Sequence, residues 1–156
     1  MNIHQITFSP TGGTRRVSEL LCKGIAAESN LTELCTKLEN LKYPIINPGD
    51  LIVISMPVYA GRVPALAVER LKGIKANGAK CAIVAVYGNR AYEDALVEMQ
   101  DVATEMGFKV MAAVAAIAEH CICRMYGAGR PDDEDAKVLA SFGSYILNKV
   151  KTQQSF

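Results

Sequence analysis

Three short segments concentrate the residue types that hold small ligands. The first, Ser9-Pro10-Thr11-Gly12-Gly13-Thr14, alternates hydroxyls with glycines and runs directly into a helical pattern. Backbone N–H groups at a helix N-terminus attract anions. The segment therefore reads either as a phosphate loop or as an ordinary strand-to-helix turn, where Ser, Thr and Gly are common. No Gly-Lys-Ser/Thr follows the glycines, which excludes a nucleotide-triphosphate loop, and the spacing is not that of the Gly-x-Gly-x-x-Gly dinucleotide turn. Arg15 and Arg16 come next. Cations in a first helical turn oppose the dipole by about 0.3–1 kcal/mol each, a cost that a bound phosphate reverses.

The second segment is Pro57-Val58-Tyr59-Ala60-Gly61-Arg62-Val63-Pro64 and the third is Tyr87-Gly88-Asn89-Arg90-Ala91-Tyr92. Prolines stiffen the second, Gly61 permits a backbone flip, and Gly88 lets the chain approach a ligand closely. Taken singly, each tyrosine is plain packing. Aromatics on two loops beside an anion loop suggest a slot for a planar ring.

Other reactive types are dispersed. Cys121 and Cys123 flank one residue beside His120, but a fourth metal ligand is not evident. Cys22, Cys35 and Cys81 sit on apolar stretches and are expected to be buried, inert thiols. His4 shares a strand face with Ile6 and Phe8, which predicts a core histidine. Glu119 and His120 are placed to line a pocket, and Glu93, Asp94 and Glu98 read as a solvated helix face. No nucleophile–base pair is legible, so no catalytic residue is assigned.

The elements that must position these loops follow from hydrophobic periodicity. Segments 3–8, 31–35, 51–56, 81–87 and 110–118 read as strands, the third and fourth continuous enough to be buried on both faces. Helical spacing links Val17, Leu20, Leu21, Gly24 and Ile25, and recurs over 64–71 and 92–106. Between 36 and 49 the pattern fails around Pro44, Pro48 and Gly49, so no full helix is expected there. The last helix has Asp132, Asp133, Glu134 and Asp135 around its first turn and Lys149 and Lys151 in its last, matching the dipole. Its predicted buried stripe is Val138, Leu139, Phe142, Ile146 and Val150. Alternating strands and helices predict a single α/β domain over 1–156, with a parallel sheet whose ligand crevice lies at the carboxyl ends of the strands.

Composition narrows the function classes. The 156 residues are 50% apolar, and 17 Lys and Arg oppose 16 Asp and Glu for a net charge of +1. That balance lacks the basic excess of a nucleic-acid binder. No apolar run reaches the ~18–20 residues of a membrane span, the first residues do not resemble a signal peptide, and five cysteines suit no secreted disulfide framework. A cytoplasmic protein with reduced thiols is expected.

Ser9-x-Thr11-Gly12-x-Thr14 resembles the flavin mononucleotide (FMN) phosphate loop of flavodoxins. The second and third segments, with Gly129-Arg130-Pro131-Asp132, narrow the resemblance to the flavodoxin domain of flavodoxin–ferredoxin fusion proteins of anaerobic bacteria. The resemblance implies a five-stranded parallel sheet of order 2-1-3-4-5 between two helical layers, and noncovalent FMN. It implies that Ser9, Thr11, Gly12, Gly13 and Thr14 hold the phosphate. Pro57, Val58, Tyr59, Gly61 and Arg62 would border the ring from one loop, and Tyr87, Gly88, Asn89, Arg90 and Tyr92 from the other. Tyr59 would cover one face, and Tyr87 or Tyr92 the other. Gly13 departs from the asparagine usual there, and the Cys-x-x-Cys-x-x-Cys run of the ferredoxin half is not in this chain. The implied function is electron transfer between iron–sulfur or flavin partners. The alternatives are an FMN-dependent NAD(P)H:quinone-type oxidoreductase and a degenerate partner-binding domain without flavin. Arg62 and Arg90, near the ring, are expected to raise the flavin potential above that of acidic flavodoxins.

Overall fold

The computed structural model describes residues 1–88, 94–118 and 129–153. Along the chain these form β1 (Ile3–Thr7), α1 (Gly13–Lys23), β2 (Asn30–Glu33), a short 3-10 turn (Leu38–Asn40), β3 (Leu51–Pro57), α2 (Ala65–Leu71), β4 (Lys80–Tyr87), α3 (Ala95–Met106), β5 (Lys109–Ile117) and α4 (Asp133–Gln153). The five strands make one sheet in the order β2-β1-β3-β4-β5, every pair parallel, as expected. The one register irregularity lies between β4 and β5. Cys81 pairs with Val110 and Ala82 with Ala112, which leaves Met111 as the extra residue of a bulge.

Each sheet face buries its own core. On one side Ile3, Leu51, Val53, Ala82 and Val84 pack under α1 (Val17, Leu20, Leu21) and α4 (Leu139, Ile146, Val150). On the other, Ile6, Ile52, Ile54, Met56 and Ile83 pack under α2 (Ala67, Leu71) and α3 (Ala95, Met99, Ala103). Leu21, Leu51, Ile52 and Ile54 are almost wholly buried, each contributing about 1.5–3 kcal/mol by leaving water. Among the described residues no helix is long and apolar enough to cross a membrane.

The stripe predicted for α4 is corrected. Leu139, Gly143, Ile146 and Val150 face the core, whereas Val138 and Phe142 are 49% and 41% exposed. Close packing of α4 on α1 sets this rotation. A Cβ on Gly143 would stand 2.1 Å from the Leu21 carbonyl oxygen, and one on Gly24 would stand 1.9 Å from that of Ala140. The helices touch backbone to backbone there, and Ser144 Oγ donates to the Gly24 carbonyl at 3.1 Å. Once Gly143 is at the contact, Phe142 must turn outward.

Polar groups at the amino end of the sheet close on one another. Asp50 accepts from the Asn2 N–H (3.0 Å) and the Asn47 N–H (2.9 Å), and lies 3.2 Å from His4 Nε2. Burial alone would raise the Asp50 pKa, but those two N–H bonds and His4 outweigh it and hold the carboxyl below its ordinary range. His4 is a buried core residue, with Nδ1 unpartnered among the described residues. Burial pushes the Cys22 and Cys81 thiols up to about 12, as fits inert core cysteines.

Candidate functional site

At the carboxyl end of the sheet the loops after β1, β3 and β4 converge on one cleft. Pro10, Thr11, Gly13 and Thr14 line it from the first loop, Pro57, Val58 and Tyr59 from the second, and Tyr87 and Gly88 from the third, with Val86 and Ala118 as floor. The volume enclosed by the described residues is small, about 30 Å³, and the rest of the cleft opens to solvent.

In the first loop Gly12 turns the chain at φ +92°, in open space, a conformation that side chains resist. Helix α1 then starts without any acidic residue in its first turn. Its Arg15 N–H donates to Ser9 Oγ (3.0 Å) and its Arg16 N–H to the Gly12 carbonyl (3.0 Å). The N–H groups of Gly13 and Thr14 find no acceptor among the described residues. These are the orphan donors that a helix start presents to a ligand. Ser9 thus stands behind the loop as a cap rather than on the cleft wall. Arg15 pairs with Glu19 at 3.0 Å.

Glu33, which the sequence did not single out, fixes this loop from below. It accepts from Thr7 Oγ1 (2.7 Å), the Ser9 N–H (2.9 Å) and Cys35 Sγ (3.1 Å). Burial first, and this bond second, push the Cys35 thiol above its ordinary value. The parallel register of β1 and β2 sets Glu33 beside Thr7. The expected 2-1-3 order could have revealed that adjacency.

The second loop is a tight hairpin. Tyr59 and Arg62 exchange backbone bonds (2.8 and 3.1 Å) around Ala60 at φ +51° and Gly61 at φ +78°, the signs of a type I′ turn. Val58 N–H ties the loop to β4 through the Val86 carbonyl at 2.9 Å. Glu98 anchors its far side, accepting from the Val63 N–H (3.1 Å) and from the Arg62 guanidinium, with Nε at 2.8 Å. Glu98 is therefore a loop anchor, correcting its reading as a solvated helix face. Arg62 is engaged with it.

Tyr87 ends β4, beside Ile117 of β5, and its carbonyl accepts from the Ala118 N–H at 3.0 Å. Arg130 is drawn to Asp135, with Nη2 2.5 Å from Oδ1. Asp132 and Asp135 cap the start of α4 reciprocally, each backbone N–H reaching the other's carboxylate at 2.9 Å. The Arg130 bond, above all, lowers the Asp135 pKa to about 2. Of the other predicted site residues, Asn89, Arg90 and Tyr92 lie outside the described residues, as do Glu93, Glu119, His120, Cys121 and Cys123.

No protein-family model matches the chain, and no curated protein matches it by sequence. Solved structures do match it. A flavodoxin from the domain Archaea superposes with a TM-score of 0.62, at 18% identity over 97% of this chain and 99% of that one. Two-electron reduced Megasphaera elsdenii flavodoxin gives 0.62, at 13% identity over 92% and 98%. The flavodoxin, WrbA-like protein of Agrobacterium tumefaciens gives 0.62, at 12% identity over 97% and 98%. The chain has the flavodoxin-like fold.

Proposed function

We propose that this chain binds FMN noncovalently in the cleft and serves as a flavodoxin-type electron carrier between iron–sulfur or flavin proteins. One observation carries the proposal: the N–H groups of Gly13 and Thr14, which have no acceptor among the described residues, share a cleft with Tyr59 and Tyr87. A phosphate ester fits the first pair, because no carboxylate occupies the first turn of α1 and Glu33 beneath the loop is already held by Thr7, Ser9 and Cys35. A planar ring fits the two tyrosines. FMN, when bound, supplies the one- and two-electron chemistry.

The chain's own residues do the positioning. Thr11 and Thr14 add hydroxyl donors to the N–H groups of the helix start. Glu33 and Ser9 hold the loop in shape before any ligand arrives, which lowers the ordering cost of binding. Glu98 holds the hairpin that presents Tyr59. Tyr59 and Tyr87 exclude water from the ring faces, and Gly61 and Gly88 allow backbone groups to reach its edge. Resemblance to the fusion family supports an iron–sulfur partner.

The test is direct. Purified protein mixed with FMN and freed of excess should keep a visible flavin band at one FMN per chain. Anaerobic NADH or NADPH should then leave that band unbleached until a partner reductase is added. Absence of retained flavin overturns the proposal, and rapid bleaching by NAD(P)H alone would make the protein a reductase instead.

A further inference from the structure

We infer that this chain forms a symmetric homodimer through the outer edge of β5 and the exposed side of α4. β5 is the last strand of the sheet, and among the described residues nothing pairs with its outer edge. Natural edges are usually blunted by charges or proline. Here Lys109 opens the strand and no charged residue or proline follows through Ala118. The opposite edge, β2, is only four residues, Asn-Leu-Thr-Glu. Alongside β5 runs a groove of about 450 Å³, walled by Ala113 and Ala115 and by Phe142 and Tyr145 of α4. Phe142 is 41% and Tyr145 64% exposed. This is a continuous apolar surface at an open edge.

The sequence of that edge selects the occupant. Residues 112–116, beyond the Met111 bulge, read Ala-Ala-Val-Ala-Ala, a palindrome about Val114. A two-fold interface needs such self-complementarity, because each residue meets its symmetry mate's counterpart. Antiparallel pairing about Val114 sets Ala113 opposite the second copy's Ala115 and Ala112 opposite its Ala116, in the regular part of β5 beyond the Met111 bulge. A different protein would demand no palindrome, and a head-to-tail filament would have to join β5 to the short polar β2.

The helices agree with the same axis. A two-fold perpendicular to the extended sheet lays α4 and its copy side by side, antiparallel, on one face. Gly143 is the midpoint of Asp133–Gln153, so Phe142 and Tyr145 meet their copies near the axis that passes Val114. The acidic first turn, Asp133 and Glu134, then faces the partner's last turn with Lys151, a complementary arrangement. The two clefts point to opposite ends of the extended sheet and stay open.

Sedimentation equilibrium of the full chain should give twice 16.8 kDa, with dissociation on dilution. Ala113→Lys on the edge and Phe142→Glu on the helix should each give monomers with unchanged circular dichroism and unchanged FMN titration. Leu38→Glu, an exposed apolar position elsewhere, should leave the dimer intact. A wild-type monomer at every concentration overturns the inference. So does a dimer that survives both variants, or a monomer whose β5 amides exchange slowly, since its edge is then covered in another way.

Discussion

The two ends of the sheet treat their polar groups in opposite ways. At the amino end, the buried Asp50 carboxylate accepts from the Asn2 and Asn47 N–H groups and lies beside the buried His4, whose Nδ1 has no partner among the described residues. At the carboxyl end, the N–H groups of Gly13 and Thr14 have no acceptor among the described residues, and both residues line a cleft with Tyr59 and Tyr87. Buried polar groups stabilise a fold when they satisfy one another, and leaving a donor unmet costs about 1–3 kcal/mol. The proposed FMN binding therefore falls at the end of the sheet whose donors the described residues leave open.

The strongest way to break that contrast is Asp50→Ala. It strands three donors, so unfolding free energy should fall by about 3–5 kcal/mol in denaturant titrations, while FMN affinity of the folded protein stays within twofold. Thr14→Ala should do the reverse. Hydrogen bonds to a charged group contribute about 1.5–3 kcal/mol, so FMN binding should weaken roughly tenfold to a hundredfold with stability nearly unchanged.

Asp135 sharpens the contrast, because it is a satisfied carboxylate at the start of α4, held by Arg130 and the backbone of Asp132. Its pKa is lowered from 3.8 to about 2, so its contribution is fully present above pH ~4 and is lost as pH falls toward 2. Partial solvent exposure reduces that contribution to about 1–2 kcal/mol. Asp135→Asn should lower the melting temperature near neutral pH, and the difference from the parent should vanish near pH 2.

Much of this was legible in the sequence. The strands of the sheet and the first two loops are where periodicity and turn residues put them, because those signals are local, while the strand order came from the resemblance to flavodoxins. The misses share one cause, long-range packing. Periodicity identified α4 but assigned Phe142 to the core, since nothing local shows that Gly143 must meet the Leu21 carbonyl. Glu98 looked like any surface acid, because its partners Arg62 and Val63 precede it by some thirty-five residues. Glu33 was within reach, since the expected strand order already puts the end of β2 beside the end of β1.

Smaller effects refine the open end. Tyr59→Ala should cost FMN affinity by about 0.5–1.5 kcal/mol and raise bound-flavin fluorescence. If fluorescence stays quenched there and is released in Tyr87→Ala, the stacking roles are exchanged. The least effect is expected from Arg62. Its guanidinium is held by Glu98, so most of its field is cancelled before it reaches the cleft. Arg62→Gln should lower the flavin midpoint potential by no more than about 20 mV, a third of the 59 mV that marks a tenfold change. A larger fall, growing at low salt, would mean that the arginine leaves Glu98 for the ring.

Parallel equilibrium titrations with FMN and riboflavin test the central claim most directly, because the two ligands differ only in the phosphate that the open donors are proposed to take. FMN should bind at one per chain and at least about tenfold more tightly than riboflavin, and Thr14→Ala should narrow that gap. Equal affinity for the two flavins, or binding of neither, would contradict the account.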